Sequence, residues 1–259
     1  MKHLEIIEDR GILKITLNRP DVRNAFSPEM IGEITEAFHK ASKNFDFRAV
    51  SLRGEGKAFC AGADLNYMRE MAQFSFEKNQ ADAVNLHDMF EAVYSCALPV
   101  VTTVHGAAFG GALGLLAASD IVIGEESTQY CFSEVKLGIA PAVISDFVLR
   151  KTDLGQVAPW MLTGRVFTTA DAVRMGLVHF SNDMIGAADQ AESLLQNLRE
   201  CGPEAVRETK RLIHKMPLFN RAEAKAAASD LIAHLRVSDE GQEGLRAFLE
   251  KRPAGWRLS

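Results

Sequence analysis

An α/β fold with a C-terminal layer of helices is the class this sequence predicts, on three observations. Apolar segments alternate between strand and helix character over the first half of the chain. Strand signals nearly vanish from about Ala142 onward. Helical segments then follow one another to the end. No internal repeat, low-complexity tract or Pro/Ser-rich linker interrupts the chain, so core and helical layer read as one unit.

Taken in order, HLEIIEDRGILKITLNRP predicts two strands joined by a turn at Asp9-Arg10-Gly11, with β-branched residues alternating in the second. Ser27-Pro28-Glu29 opens a helix: serine caps, proline occupies the first turn, and Ile31, Ile34, Phe38 and Ala41 recur at helical spacing. RAVSLRG is a short strand. EGKAFCAGADL is a loop of small residues, followed by helix to about Ser95. ALPVVTTVHG is a further strand, GGALGLLAAS a buried helix and DIVIGE another strand. Strand–helix–strand alternation of this kind implies a mostly parallel sheet covered by helices. After Ala142 come VISDFVLRK, LGQVAPWML, TTADAVRMG, IGAADQAESLLQNLREC, GPEAVRETKRLIHK, RAEAKAAASDLIAHLRV and DEGQEGLRAFLEKR, all with helical periodicity.

Composition narrows the function classes. The chain has 259 residues, 47% hydrophobic and 24% charged, with a net charge of −5. A weakly acidic surface disfavours nucleic acid as the main partner. No apolar run reaches the roughly 18 residues that span a bilayer, and MKHLEIIEDRG lacks a signal-peptide core, so a cytoplasmic globule is expected. Cys60, Cys96, Cys131 and Cys201 show no metal-ligand or CxxC spacing and read as reduced thiols. His87, His179 and His214 are equally scattered, so no metal site is implied.

Two small-residue bends stand out, each following a strand and preceding a helix: Ala61-Gly62-Ala63-Asp64 and Gly110-Gly111. A helix start leaves N–H groups free, and small residues let a ligand carbonyl come close to them. Two such bends can each lend one N–H to one oxygen, forming an oxyanion hole. Tight helix–sheet packing is the competing reading of the same residues. Neither bend fits GxGxxG or a P-loop, which disfavours a phosphate cradle.

NRPDVRNAFS, GKAFCAGADL, HGAAFGGALGLLAASDI and FSEVKLGIAP follow one another in the order and spacing of the enoyl-CoA hydratase/isomerase (crotonase) family, and the resemblance continues through LTGRVFTTADAVRMGLV to EGLRAFLEKR. It covers essentially the whole chain. The resemblance implies a crotonase-like spiral of ββα turns over residues 1–195, with a C-terminal helical trimerisation region over 196–259 in the same structural unit. It also implies an acyl-CoA substrate and a homotrimer or dimer of trimers. Coenzyme A enters as part of the substrate, with no separate cofactor. Carried over by position, the oxyanion donors are the N–H groups of Ala63 and Gly111. Arg23, the Ala25 backbone, Lys57, Ala61, Asp64 and Leu65 fall to substrate and CoA binding. Phe248 and Lys251 of the last helix join them, from an adjacent protomer.

Hydratases of this family use two glutamates. The resemblance supplies the second, Glu134, while Gly114 stands where the first belongs. One carboxylate can nonetheless do both jobs in sequence, taking a proton from water as it attacks and returning one to Cα, if an apolar site raises its pKa. Phe132, Val135 and Leu137 are the expected walls. Asp146, at the head of a predicted helix, is a candidate replacement acid, though a first-turn aspartate also complements the helix dipole.

The combination of ADLNYM, AAFGGALGL and SEVKLGIAPAVIS is similar to bacterial methylglutaconyl-CoA hydratases, which act on a branched enoyl-CoA with a distal carboxylate in leucine breakdown. Arg69, Lys136, Arg150 and Lys151 are the candidate cations for that carboxylate. The expected activity is therefore hydration or dehydration of 3-methylglutaconyl-CoA/3-hydroxy-3-methylglutaryl-CoA. The alternatives are an enoyl-CoA isomerase, an acyl-CoA hydrolase using the same hole, or a weakly catalytic homologue that binds CoA or RNA. His105 reads as a hydrogen-bonded structural histidine, Cys60 and Cys131 as packing thiols, and Trp160 and Met161 as core or trimer contacts.

Overall fold

A computed structural model describes residues 1–256. Its elements run β1 (Leu4–Asp9), β2 (Ile12–Leu17), α1 (Pro28–Lys43), β3 (Ala49–Gly54), α2 (Leu65–Met71), α3 (Phe76–Tyr94), β4 (Val100–Val104), β5 (Ala107–Phe109), α4 (Gly111–Ala118), β6 (Ile121–Glu125) and β7 (Gln129–Cys131). The second half holds α5 (Ala142–Lys151), α6 (Leu154–Thr163), β8 (Phe167–Thr168), α7 (Thr169–Arg174), β9 (Phe180–Asn182), α8 (Met184–Glu200), α9 (Pro203–Lys215), α10 (Arg221–Val237) and α11 (Asp239–Leu249).

The strands form two sheets, ordered β1-β2-β3-β4-β6-β9 and β5-β7-β8. In the larger sheet β1 and β2 are an antiparallel hairpin, and every later pairing is parallel. The smaller sheet is continued by the bridges Cys60↔Ala108 and Phe26↔Ala63. Successive turns of chain thus give one segment to each sheet and then enter a helix, the repeated ββα pattern of a crotonase-like spiral. The expectation of a single helix-covered parallel sheet is corrected to that extent. The missing sheet consists of strands of only two or three residues, too short for a period-2 pattern to register.

Local chemistry explains the elements that position the site. Ser27 accepts from the Met30 N–H at the start of α1, with Pro28 in its first turn. Asp64 accepts from the Asn66 and Tyr67 N–H groups and caps α2. Helix α4 is apolar all round and buries every residue from Ala112 to Ala118. The main core lies between α1, α3, α4 and the sheets. A second cluster of Ile12, Ala49, Val101 and Ile123 packs against Ala187, Ala191 and Leu195 of α8 on the other side of the large sheet.

Helix α8 therefore belongs to the core, and the expected boundary at 195/196 falls inside it. Buried Arg199 donates from Nε to the Arg10 carbonyl at 3.2 Å. From α9, Arg207 reaches the Asn44 carbonyl at 2.7 Å and Lys210 the Leu98 carbonyl at 3.0 Å. Helices α10 and α11 pack on each other. Residues 257–259 of the C-terminal region lie outside the described residues.

Candidate active site

Four chain segments lie abreast through main-chain hydrogen bonds, and these bring the two small-residue bends together. The Phe59 N–H donates to His105 O (3.0 Å), Cys60 N–H to Ala107 O (3.1 Å) and Phe109 N–H to Cys60 O (3.1 Å). On one flank, Phe26 N–H donates to Gly62 O (2.7 Å) and Asp64 N–H to Phe26 O (2.9 Å). On the other, Gly110 N–H donates to Cys131 O (2.9 Å). Among the described residues, the N–H groups of Ala63 and Gly111 donate to no carbonyl or side chain. Unpaired main-chain donors at adjacent bends are what an oxyanion hole requires.

Glycine is necessary at both bends. Gly62 has φ +91, and a Cβ there would lie 2.9 Å from Phe109 O and 3.9 Å from the Gly110 Cα, so the bends touch. Gly110 has φ +53, and a Cβ there would lie 3.5 Å from Glu134 Oε1. Phe26 ties the two together: its backbone pairs with the first bend, and its ring sits 3.1 Å from where a Gly111 side chain would begin. Arg19 and Asp64 close the outer edge with a 3.0 Å ion pair, both largely buried. Sequence reasoning missed Phe26 and Arg19 as positioning residues. The NRPDVRNAFS block contains both, but nothing local tells what they touch.

Glu134 sits at the first turn after β7, where the Ile139 N–H donates to its carbonyl at 3.2 Å. Its Oε2 is buried and has no hydrogen-bond partner among the described residues. Burial pushes its carboxyl above the ordinary glutamate range. Of the expected walls, Phe132 is fully buried and stacks near Phe167, whereas Leu137 is 57% exposed and closes nothing within one chain.

At Gly114 the place of a second carboxylate is occupied. A Cβ there would lie 2.7 Å from both Phe90 Cζ and Ile144 Cγ2. Phe90 is wedged edge-on between Phe26 (6.5 Å) and Phe147 (5.7 Å), so the wall is apolar and packed. Asp146 does not replace the absent acid. Its carboxylate accepts from Arg150 Nε (2.9 Å) and lies 3.3 Å from His87 Nε2. Arg150, and less strongly His87, hold it below the usual aspartate range. It is an ion-paired surface group.

The CoA candidates are placed unevenly. Arg23 is exposed, in a left-handed turn with φ +52, and its carbonyl accepts from Ala61 N–H at 3.0 Å. Ala25 is buried and its carbonyl already accepts from Arg19 Nη1 at 2.5 Å. Lys57 and Leu65 are exposed, whereas Asp64 serves as cap and ion-pair partner. Phe248 and Lys251, at the end of α11, face solvent and are not brought to these bends by their own chain's described contacts. Among the cations considered for a distal carboxylate, Arg150 is engaged by Asp146, and Lys151 donates to the Leu116 and Ser119 carbonyls at the far end of α4. Arg69 and Lys136 remain exposed.

The bland readings hold for the nearby nucleophiles and imidazoles. His105 Nε2 lies 2.9 Å from Gly56 O. Burial pushes the Cys60 thiol up to about 12 and raises that of Cys131, so neither is a thiolate at neutral pH. No three His, Cys, Asp or Glu side chains converge as a metal site among the described residues, and no described helix is long and apolar enough to cross a membrane.

Adjacent bends with unpaired main-chain donors, beside a partly buried carboxylate and carried on ββα turns, are equipment suited to holding a carbonyl oxygen while a proton moves. The chain belongs to the enoyl-CoA hydratase/isomerase family, which it matches over residues 8–258. An enoyl-CoA hydratase from Shewanella pealeana is 37% identical and superposes with a TM-score of 0.94 over 98% of this chain and 96% of that one. Pseudomonas aeruginosa AtuE is 33% identical with a TM-score of 0.95, covering 98% and 99%. Enoyl-CoA hydratase EchA19 of Mycobacterium tuberculosis is 30% identical over 95% of this chain and 94% of its own.

Proposed function

We propose that the protein is an enoyl-CoA hydratase that adds or removes water with one carboxylate, acting on a branched, acid-bearing thioester of the 3-methylglutaconyl-CoA/3-hydroxy-3-methylglutaryl-CoA type. The observation that carries this reading is Glu134: half-buried, with a buried Oε2 that has no partner among the described residues, and beside Gly110 at the head of α4. In the hydration direction, Glu134 removes a proton from water as the water oxygen bonds to Cβ. The C=C electrons move to the thioester oxygen, and the Ala63 and Gly111 N–H groups hold the resulting enolate. The enolate then collapses and Cα takes the proton from Glu134, so the carboxylate is regenerated and no cofactor is consumed. Desolvation suits this double role, because a carboxyl raised toward neutrality is a better base and remains a competent acid.

The branched substrate rests on the ADLNYM and SEVKLGIAPAVIS text, with Arg69 or Lys136 as partner for the distal carboxylate. Homotrimers or dimers of trimers in the cytoplasm, assembled through the C-terminal helices, are part of the same reading. Exposed apolar residues such as Val237 (76%), Phe248 (82%) and Leu249 (77%) support it, since a partner surface would cover them. CoA contacts by Arg23, Lys57, Ala61 and Leu65, and by Phe248 and Lys251 from a neighbouring protomer, belong to it too. A second reading, the double-bond isomerase, is favoured by the sealed Gly114 wall, because moving a proton between two carbons needs one carboxylate and no water.

The deciding experiment assays crotonyl-CoA, methylglutaconyl-CoA and a β,γ-enoyl-CoA with wild type and Glu134→Gln. Hydration of the branched acid that disappears in Glu134→Gln supports the proposal. Double-bond migration without water addition selects the isomerase. CoA affinity without turnover on any of the three rejects both.

A further inference from the structure

The opposite end of α4 borders a cavity of about 420 Å³, with Lys151, Arg150, His179 and the carboxylate Asp120 on its wall. Lys151 donates to the Leu116 and Ser119 carbonyls, two of the main-chain acceptors at the end of the helix. Burial pushes its ammonium down to about 8. No carboxylate among the described residues pairs with it. The acid that acts on it, Asp120, is held by Lys210 at 2.6 Å and by the Val100 N–H at 2.7 Å. A desolvated ammonium with no counter-ion is costly. Its third N–H is still free to donate.

The neighbouring groups point the same way. His179 Nδ1 accepts from the Val122 N–H at 2.9 Å, and burial, then the Lys151 charge, push the ring down to about 4. The neutral ring therefore carries its proton on Nε2, as a donor. Arg150 uses Nε toward Asp146, which leaves its Nη donors unassigned. Tyr94 and His214, stacked at 4.1 Å and 3°, also line the cavity. The space exceeds that of a few waters, at about 30 Å³ each, and falls in the range of small-ligand pockets.

We propose that this cavity is a binding site for a small organic anion, headed by a carboxylate or a phosphate and carrying a short apolar or planar body, with Lys151 as its principal charge partner. The fork of Arg150 and the Nε2–H of His179 complete the head-group contacts, and the Tyr94/His214 wall takes the body. The proposal is independent of the acyl-CoA reading, since it uses none of the groups around Glu134.

The test is calorimetric titration and thermal shift of the full chain with butyrate, phenyl phosphate and inorganic phosphate, repeated in Lys151→Met, Arg150→Ala and Glu134→Gln. Saturable binding of butyrate or phenyl phosphate is expected, weakened about tenfold or more in Lys151→Met and several-fold in Arg150→Ala, unchanged in Glu134→Gln and not displaced by CoA. If Lys151→Met does not fold, Arg150→Ala decides. The two organic probes separate carboxylate from phosphate as the preferred head group, and binding of inorganic phosphate alone removes the apolar wall from the proposal. Absence of saturable binding up to about 10 mM, wild-type affinity in both basic-residue variants, or displacement by CoA would overturn it.

Discussion

The two ends of α4 stand only about 12 Å apart, eight residues at helical rise, yet they treat the helix's own main-chain groups in opposite ways. At the C-terminal end, Lys151 comes from α5 to cover two carbonyls, and Lys210 comes from α9 to neutralise Asp120. Ser119 adds a hydroxyl pair with Thr102 at 2.7 Å. At the N-terminal end no described residue covers the Gly111 N–H, and the nearby Glu134 Oε2 is buried without a partner among the described residues. One short helix thus shows what a fold does with main-chain ends it must stabilise and with ends it reserves. An unpaired donor beside an unpaired acceptor is a place where another molecule can supply the missing half.

The largest way to break that contrast is to remove the reserved carboxylate. Glu134→Gln is expected to lower kcat by about 10²–10⁴-fold, the usual worth of a positioned acid–base group. It should also raise stability at neutral pH by about 1 kcal/mol, because it deletes a charge held out of water. The sign follows from the raised carboxyl: the folded state binds this proton more tightly than the unfolded chain. Glu134 therefore favours folding below its unfolded value, and that contribution is lost as pH rises through the raised folded value. Urea melts from about pH 4 to about pH 8 should show wild type losing ground to Glu134→Gln as pH rises. Wild-type kcat should climb over the same limb as the base form appears. A variant that loses activity without gaining stability would mean that Glu134 is satisfied in the working enzyme.

Next in size is the bend itself. Gly110→Ala must hold φ +53 with a side chain and place a Cβ 3.3 Å from Ser133 Oγ and 3.5 Å from Glu134 Oε1. Tilting the next N–H by a fraction of an ångström is expected to cost about 10²–10³-fold in kcat, like the loss of one oxyanion donor, with CoA affinity little changed. Steady-state kinetics with CoA as a competitive inhibitor separate the two. An equal loss in both would mean that Gly110 shapes the CoA cleft rather than the donor.

Much of this contrast was legible in the sequence, and the part that was not shares one physical cause. The Ser27 cap, the strand-to-glycine bends and the α-helical C-terminal half are written in neighbouring residues, so periodicity and capping chemistry reach them. Glu134 could be picked out by resemblance, whereas its desolvation comes from segments that only the fold assembles. The short strands β5, β7 and β8 have no periodic signal, yet their hydrogen bonds align the bends. The Arg19–Asp64 pair spans 45 positions and the Lys210–Asp120 pair 90, and no local rule connects residues so far apart. Gly114 looked like a deletion of chemistry. Phe90 and Ile144 make it a packing requirement as well.

That requirement gives the third prediction, on stability. Gly114→Ala forces a methyl to within 2.7 Å of Phe90 and Ile144, an overpacking expected to cost about 1–3 kcal/mol by denaturant melt. Phe90→Leu in the same chain should recover part of that loss, as coupled neighbours do. Additive losses would mean that the helix, not the ring, absorbs the strain.

The smallest expected effect is the sharpest check on a single-carboxylate site. Asp146 lies two residues after Ile144 on α5, and it is the one acid considered as a substitute for the group missing at Gly114. Its side chain is 45% exposed, and its i,i+4 partner Arg150 is 53% exposed. Exposed pairs of this kind contribute under about 1 kcal/mol, so Asp146→Asn should shift stability by no more than about 0.5 kcal/mol and leave kcat unchanged. The substitution also frees the Arg150 Nε, so anion affinity at the far end of α4 should stay level or rise slightly. A drop in kcat comparable to that of Glu134→Gln would place a second working acid on α5 and end the distinction between the reserved and the satisfied ends of the helix.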